Sequence, residues 1–123
     1  MEQPGGATAP RADVVLTRAL LRAAERLGLS QRDLAAVLGV SPATLSRLPR
    51  RPLDPQSKEG ELAVLFVRLY RSLDALLGGN AAKARAWLFA PNHHLGGVPA
   101  EMIRTIVGLT HVIEYLDAMR GKV

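Results

Sequence analysis

The stretch Leu29-Ser30-Gln31-Arg32-Asp33-Leu34-Ala35-Ala36-Val37-Leu38-Gly39-Val40-Ser41-Pro42-Ala43-Thr44-Leu45-Ser46-Arg47 decides how this chain is read. Ser30 can accept a hydrogen bond from an unsatisfied backbone N–H, and Asp33 is favourable in a first helical turn, so a short helix is predicted over Gln31–Leu38. Gly39 ends it, because a left-handed backbone conformation is cheapest there, and Ser41-Pro42 opens the next helix as cap followed by proline at the first helical position. That second helix, Pro42 to Leu48, carries Leu45 and Leu48 inward and stops before Pro49. Small Ala35 and Ala36 let two helices cross closely, while Leu34, Leu38, Val40 and Leu45 close a core between them. Two helices in that order, joined by a tight turn, make a helix-turn-helix.

Upstream, Leu16, Leu20, Ala23 and Leu27 recur every three or four residues, with Arg18, Arg22, Glu25 and Arg26 between them, so a helix is expected from Val14 with Asp13 as its cap and Gly28 as its stop. Residues 1–12, with Pro4, Gly5, Gly6 and Pro10, read as a disordered arm. They carry no basic region followed by an apolar block, so no export signal is read and the cytoplasm is the expected location. Downstream, Arg51 to Ser57 is proline-punctuated and reads as a linker between a first lobe, residues 13–50, and a second, residues 58–123. The longest helix should run from Ser57 to Leu77, about 30 Å. Its apolar residues exceed a single stripe, which in a small domain points to a subunit interface and hence a homodimer. Arg68, Arg71 and Asp74 interrupt it, so it is no membrane span.

Gly78-Gly79 breaks that helix, Asn80 caps another over Ala81–Leu88, and Pro91 to Pro99 forms a loop. Asn92 can bond its own backbone in an Asx turn, and Gly96-Gly97 permits positive φ before Pro99 restarts helical pattern, which makes the loop a rigid corner held by Trp87, Leu88 and Leu95 as core anchors. The last helical pattern continues to Arg120. Gly108 either splits it in two or allows one helix to pack closely.

The chain has 123 residues, 48% of them hydrophobic, 22% charged and 4% aromatic, which suits one all-helical unit with a true core. The absence of cysteine excludes disulfides, thiolate zinc sites and a cysteine nucleophile. A net charge of +5 favours a polyanionic partner, although an arginine-preferring genome gives the same excess. His93, His94 and His111 lack the i, i+4 spacing that places two ligands on one helix face, and Glu101 and Glu114 are not paired by any spacing for acid–base work. No catalytic residue, metal or cofactor is assigned.

Residues Leu29–Arg47 resemble the Xre-type, repressor-like helix-turn-helix family in the Ser-Gln start, the Leu-Ala pair, Leu-Gly-Val-Ser and the Ser-Arg ending. The resemblance implies that Pro42–Leu48 is a recognition helix entering the major groove, with Pro42, Ala43, Thr44 and Arg47 near base edges. Arg47 alone offers a bidentate contact to guanine, and Ala43 and Thr44 offer a thymine methyl contact or a single hydrogen bond. Gln31, Ser41, Arg50 and Arg51 suit phosphate contact.

The second half is similar to the Xre/MbcA/ParS antitoxin family in Trp87-Leu88, Pro91-Asn92, Leu95-Gly96-Gly97 and Pro99, followed by Gly108, Val112, Leu116 and Gly121. Val98 departs from the Ser or Thr cap that family members often carry before the proline. The family resemblance implies an antitoxin for a RES-domain toxin, an enzyme acting on NAD as glycohydrolase, phosphorylase or ADP-ribosyltransferase, with the chemistry held by the toxin. It further implies that the segment Met119-Arg120-Gly121-Lys122-Val123 docks at the toxin's NAD-binding cleft, and His93 and His94 are candidates for the same partner interface. The expected protein is thus all-α, with an Xre-type helix-turn-helix lobe that binds operator DNA and a helical domain that dimerises and binds toxin. The alternative is a stand-alone repressor whose second lobe serves only dimerisation, and a nonspecific nucleic-acid binder would differ from both in ignoring sequence.

Overall fold

The computed structural model describes residues 11–121, and within them the chain is helical with no strand. The helices are α1 (Ala12–Leu27), α2 (Gln31–Leu38), α3 (Pro42–Ser46), α4 (Lys58–Leu76), α5 (Ala81–Phe89), α6 (Pro99–Met102) and α7 (Ile106–Gly121). Three of their starts follow the capping chemistry read from sequence: the side chains of Ser30, Ser41 and Asn80 accept from the backbone N–H groups of Asp33, Thr44 and Lys83, and Ser57, read as the first residue of the longest helix, is instead its cap and accepts from Gly60 N. Gly28 and Gly39 close α1 and α2 in the left-handed conformation, with φ of 72° and 70°.

The start of α1 differs from expectation. Arg11 is the N-cap, without a side-chain bond, and Ala12 already belongs to the helix. Asp13 therefore lies inside the first turn rather than before it. Its Oδ1 accepts from Val14 N at 2.8 Å, and its other oxygen pairs with Arg11 Nη2 at 2.6 Å. The bond from Arg11 holds the Asp13 carboxyl below the usual carboxylate range, against a smaller opposing effect of desolvation. Of the arm read from residues 1–12, residues 1–10 lie outside the described residues, while Arg11 and Ala12 open α1.

At the other end of the first motif, α3 stops at Ser46 rather than Leu48, with Arg47 as its C-cap. Leu48 is nevertheless buried, because Leu45 O accepts from its N–H at 3.1 Å and the chain keeps turning inward. The segment read as a linker is tightly bonded to its surroundings. The backbone N–H of Leu53 donates to Thr17 Oγ1 at 2.8 Å, both residues being buried. Asp54 O accepts from Ser57 N at 3.0 Å and from Ser57 Oγ at 2.6 Å. A side chain at Gly60 would place its Cβ 2.0 Å from that same carbonyl, so glycine is what lets α4 begin beneath the turn.

Helix α4 is the centre of the packing, with α1 along one side, α7 along another, and α2 and α5 completing its surroundings. Ala63, Phe66, Leu69 and Leu73 are wholly buried on it, in one continuous core with Leu20 and Leu27 of α1, Leu34 and Leu38 of α2, Leu88 of α5 and Leu109, Val112 and Leu116 of α7. The apolar excess from which a subunit interface over Ser57–Leu77 is read is thus taken up within the chain itself. Val64, 48% exposed, is the large apolar residue of α4 left outward.

The last helical pattern is split, but not at Gly108. The break falls at Ile103 to Thr105, and Gly108 serves the close approach that follows: a Cβ there would lie 1.9 Å from Met102 O. Thr105 Oγ1 accepts from Gly108 N at 3.0 Å and so supplies the cap of α7.

Gly108→Ala should lower the unfolding free energy by about 1–3 kcal/mol through that overlap, whereas Gly121→Ala, in open space, should stay within about 0.5 kcal/mol of the parent. Urea denaturation of the two variants measures the difference. Asp13→Asn should destabilise α1 at neutral pH. Because the Asp13 pKa is depressed in the folded state, that contribution is present above the ordinary carboxylate range and lost as pH falls through the folded value, so variant and parent should converge in strong acid.

Candidate functional site

Pro42, Ala43, Thr44 and Arg47 all lie on the exposed side of α3, while Leu45 on the other side is buried against α2. The two-helix packing therefore presents together the four residues read as nearest to base edges. Ser41 Oγ accepts from Thr44 N at 3.1 Å and donates to Thr44 Oγ1 at 3.0 Å. Ser41 thus spends its hydrogen locally, which weakens its candidacy for a phosphate and leaves the Thr44 hydroxyl hydrogen free to point outward. Arg47, Arg50 and Arg51 are exposed and make no ion pair among the described residues. Gln31 is exposed at the start of α2. This face is a cationic strip around a short helix with one bidentate donor, a geometry suited to phosphate positioning with limited direct readout.

A cation from the far end of the chain joins the edge of this strip. Arg104 Nη2 donates to Asp33 Oδ1 at 3.0 Å, tying the α6–α7 corner to the first turn of α2. Periodicity carries no signal for this contact, since the two residues are 71 positions apart.

In the second half the loop forms the corner read from sequence. Asn92 Oδ1 accepts from Leu95 N at 3.0 Å, Asn92 O accepts from Gly96 N at 2.9 Å, and Asn92 N donates to Gly97 O at 2.8 Å. Gly96 has φ of 78°. Leu88 and Leu95 are buried as anchors, but Trp87 is only half-buried. Its ring stacks on Tyr115 of α7 with centroids 6.3 Å apart. Tyr115 in turn stacks with His94 at 6.1 Å, and His94 meets the edge of His93 at 6.0 Å. The two histidines are exposed at the end of a row of rings, not held in the core. Among the described residues no three His, Cys, Asp or Glu side chains converge to hold a metal ion.

Met119, Arg120 and Gly121 close α7, whereas Lys122 and Val123 lie outside the described residues. Met119 sits four positions after Tyr115, so the two share one helix face about 6 Å apart along the axis. The histidine loop and the end of α7 thereby meet on a common surface. Arg120 turns to the opposite side, where its Nη1 donates to Ser72 Oγ at 3.1 Å, Ser72 donates to Asp117 Oδ1 at 3.1 Å, and Arg68 pairs with Asp117. This network ties the end of α7 to α4. Its one advance signal is Ser72, a polar residue set among the apolar positions of a central helix.

Residues 9–68 match the family model of the antitoxin Xre-like helix-turn-helix domain, and residues 72–122 match that of the antitoxin Xre/MbcA/ParS C-terminal toxin-binding domain. No curated protein matches the chain. Among solved structures, a chain of the crystal structure of the M. tuberculosis MbcT–MbcA toxin–antitoxin complex superposes with a TM-score of 0.68 at 26% sequence identity, over 89% of this chain and 96% of that one. No described helix is long and apolar enough to cross a membrane. With the α3 face inside the first match, the Asn92 corner and α7 inside the second, and both in the order of the related antitoxin, the chain belongs to the Xre/MbcA/ParS antitoxin family.

Proposed function

We propose that this antitoxin neutralises a RES-domain toxin that consumes NAD or transfers ADP-ribose, by occluding the toxin's NAD-binding cleft, and that it represses its own operon through α3. The match of residues 72–122 to a toxin-binding domain is the observation that carries the first half. The residues proposed for the cleft are Met119, Arg120, Gly121, Lys122 and Val123, and His93 and His94 are proposed for the same partner interface. Met119 lies one helical turn beyond Tyr115, the middle ring of the row Trp87–Tyr115–His94, which puts the start of that segment on the same helix face as the ring that meets the histidine loop. The catalytic groups belong to the toxin; this chain acts by exclusion.

The second half rests on the exposed α3 face and its cationic surroundings. Two chains on a palindrome would place their recognition helices roughly 34–36 Å apart, one per half-site. Arg47 is the base-reading residue in this scheme, Ala43 and Thr44 adjust fit, and Gln31, Arg50 and Arg51 hold the backbone, while Ser41 serves as the cap of α3.

The decisive experiment measures NAD consumption by the protein encoded beside this chain, with and without the antitoxin at equal concentration. Inhibition accompanied by a stable complex is expected, and undiminished turnover would overturn the reading. Deleting Gly121 to Val123 should restore a large part of the NAD consumption. Arg47→Ala should cost about 1–3 kcal/mol at the preferred operator and relax base preference at one position; binding titrations across an operator panel measure both effects.

A further inference from the structure

A groove of about 1050 Å³ runs between the start of α1, the middle of α4 and the end of α7, away from the α3 face. Its floor is apolar and branched: Val15 of α1 with Val64 and Val67 of α4, of which Val15 and Val64 are 47% and 48% exposed. Its rim is cationic, with Arg68, Arg71 and Arg120. Arg68 is neutralised by Asp117, but Arg71 has no acidic partner among the described residues and Arg120 bonds only the Ser72 hydroxyl. A smaller hollow continues the groove between α1 and α4 and adds Arg18 and Arg22.

Three kinds of occupant compete for such a surface, and charge decides among them. A nucleic-acid backbone would use the arginines but leave the valines against phosphates. A second copy of this chain, docked about a two-fold axis, would set the same arginine-rich patch against itself, and like-charge juxtaposition is costly. An amphipathic helix with carboxylates flanking its apolar face satisfies both parts, its anchors at i, i+3, i+4 and i+7 covering the valines and its acids meeting Arg71 and, along the adjoining hollow, Arg18 and Arg22. The groove reaches Arg120 and Gly121, and so adjoins the segment proposed for the toxin cleft.

We propose that this groove docks an acidic amphipathic helix of the toxin, as a contact separate from the occluding C-terminal segment. The proposal rests on the neutralisation reading and adds an anchoring surface to it. The groove holds the toxin while the tail fills the cleft, so damage to the groove should act on affinity at every salt-screened contact it removes, with the tail intact.

The test is the affinity of the full chain for the protein encoded beside it, for the parent, Arg71→Glu, Val64→Ser, and Arg32→Glu as a substitution outside the groove, with circular dichroism melts to verify folding. Arg71→Glu and Val64→Ser should each weaken binding by roughly tenfold or more. The salt dependence of binding should flatten for Arg71→Glu, and Arg32→Glu should bind like the parent. Parent-like binding by both groove variants would overturn the groove alone and leave neutralisation standing. Failure of the parent chain to bind would overturn both. Light scattering on the same samples separates the remaining case: a parent dimer that the groove variants convert to monomer, with toxin affinity unchanged, would assign the groove to a second copy and reject the proposal.

Discussion

Everything in this fold depends on covering α4. A 19-residue helix with apolar side chains on several sides is tolerable in water only if neighbours remove those sides from solvent, and here the neighbours come from both halves of the chain. Helix α1 supplies one wall and α7 another, so the helix-turn-helix and the segment that matches a toxin-binding domain share a single core. Neither half has an independent floor. The boundary between the two domain matches falls within α4 and its last turns, between residues 68 and 72, where a physical cut would expose Leu69 and Leu73.

The polar ties reinforce this arrangement by specifying where each segment enters. Thr17 receives the buried N–H of Leu53 and thereby seats the turn before α4, and the Asp54 carbonyl sits where only a glycine at position 60 can pass beneath it. At the far end, Ser72 accepts from Arg120 and donates to Asp117, with its hydroxyl placed in an otherwise apolar layer. A buried hydroxyl without partners would cost more than its bonds return, so the two charged residues of α7 are bound to their positions by α4. One end of the proposed cleft-filling segment is therefore immobilised by the central helix.

Much of the local structure was legible in the sequence because its causes are local. Ser30, Ser41 and Asn80 announce their helices by side chains that reach an N–H three residues ahead, and Gly28 and Gly39 announce their ends. Asp13 misleads for a physical reason: an acid is favourable both as cap and within the first turn, and position alone cannot separate the two. The break between α6 and α7 brings Met102 O against position 108 through a tight local turn, a chain geometry that periodicity does not encode. The half-exposure of Trp87 likewise depends on Tyr115, which packs beside it from another helix. Arg104 with Asp33, and Ser72 with Asp117 and Arg120, are long-range polar contacts whose partners are fixed only by the finished packing. The α3 face was legible as a set of residues, while the loss of the Ser41 hydrogen to Thr44 was not.

The row of rings at the Asn92 corner has a spectroscopic consequence. Trp87 is the sole tryptophan of the chain, half-exposed and stacked on Tyr115, with His94 one ring further out. The emission of a single indole so placed reports on one locality, free of the averaging that several tryptophans would impose. Partner protein covering the histidine loop would dry the indole and move its emission toward the blue, while DNA on the α3 face would leave it alone. The molecule thus carries an internal optical probe for cover of the Asn92 corner.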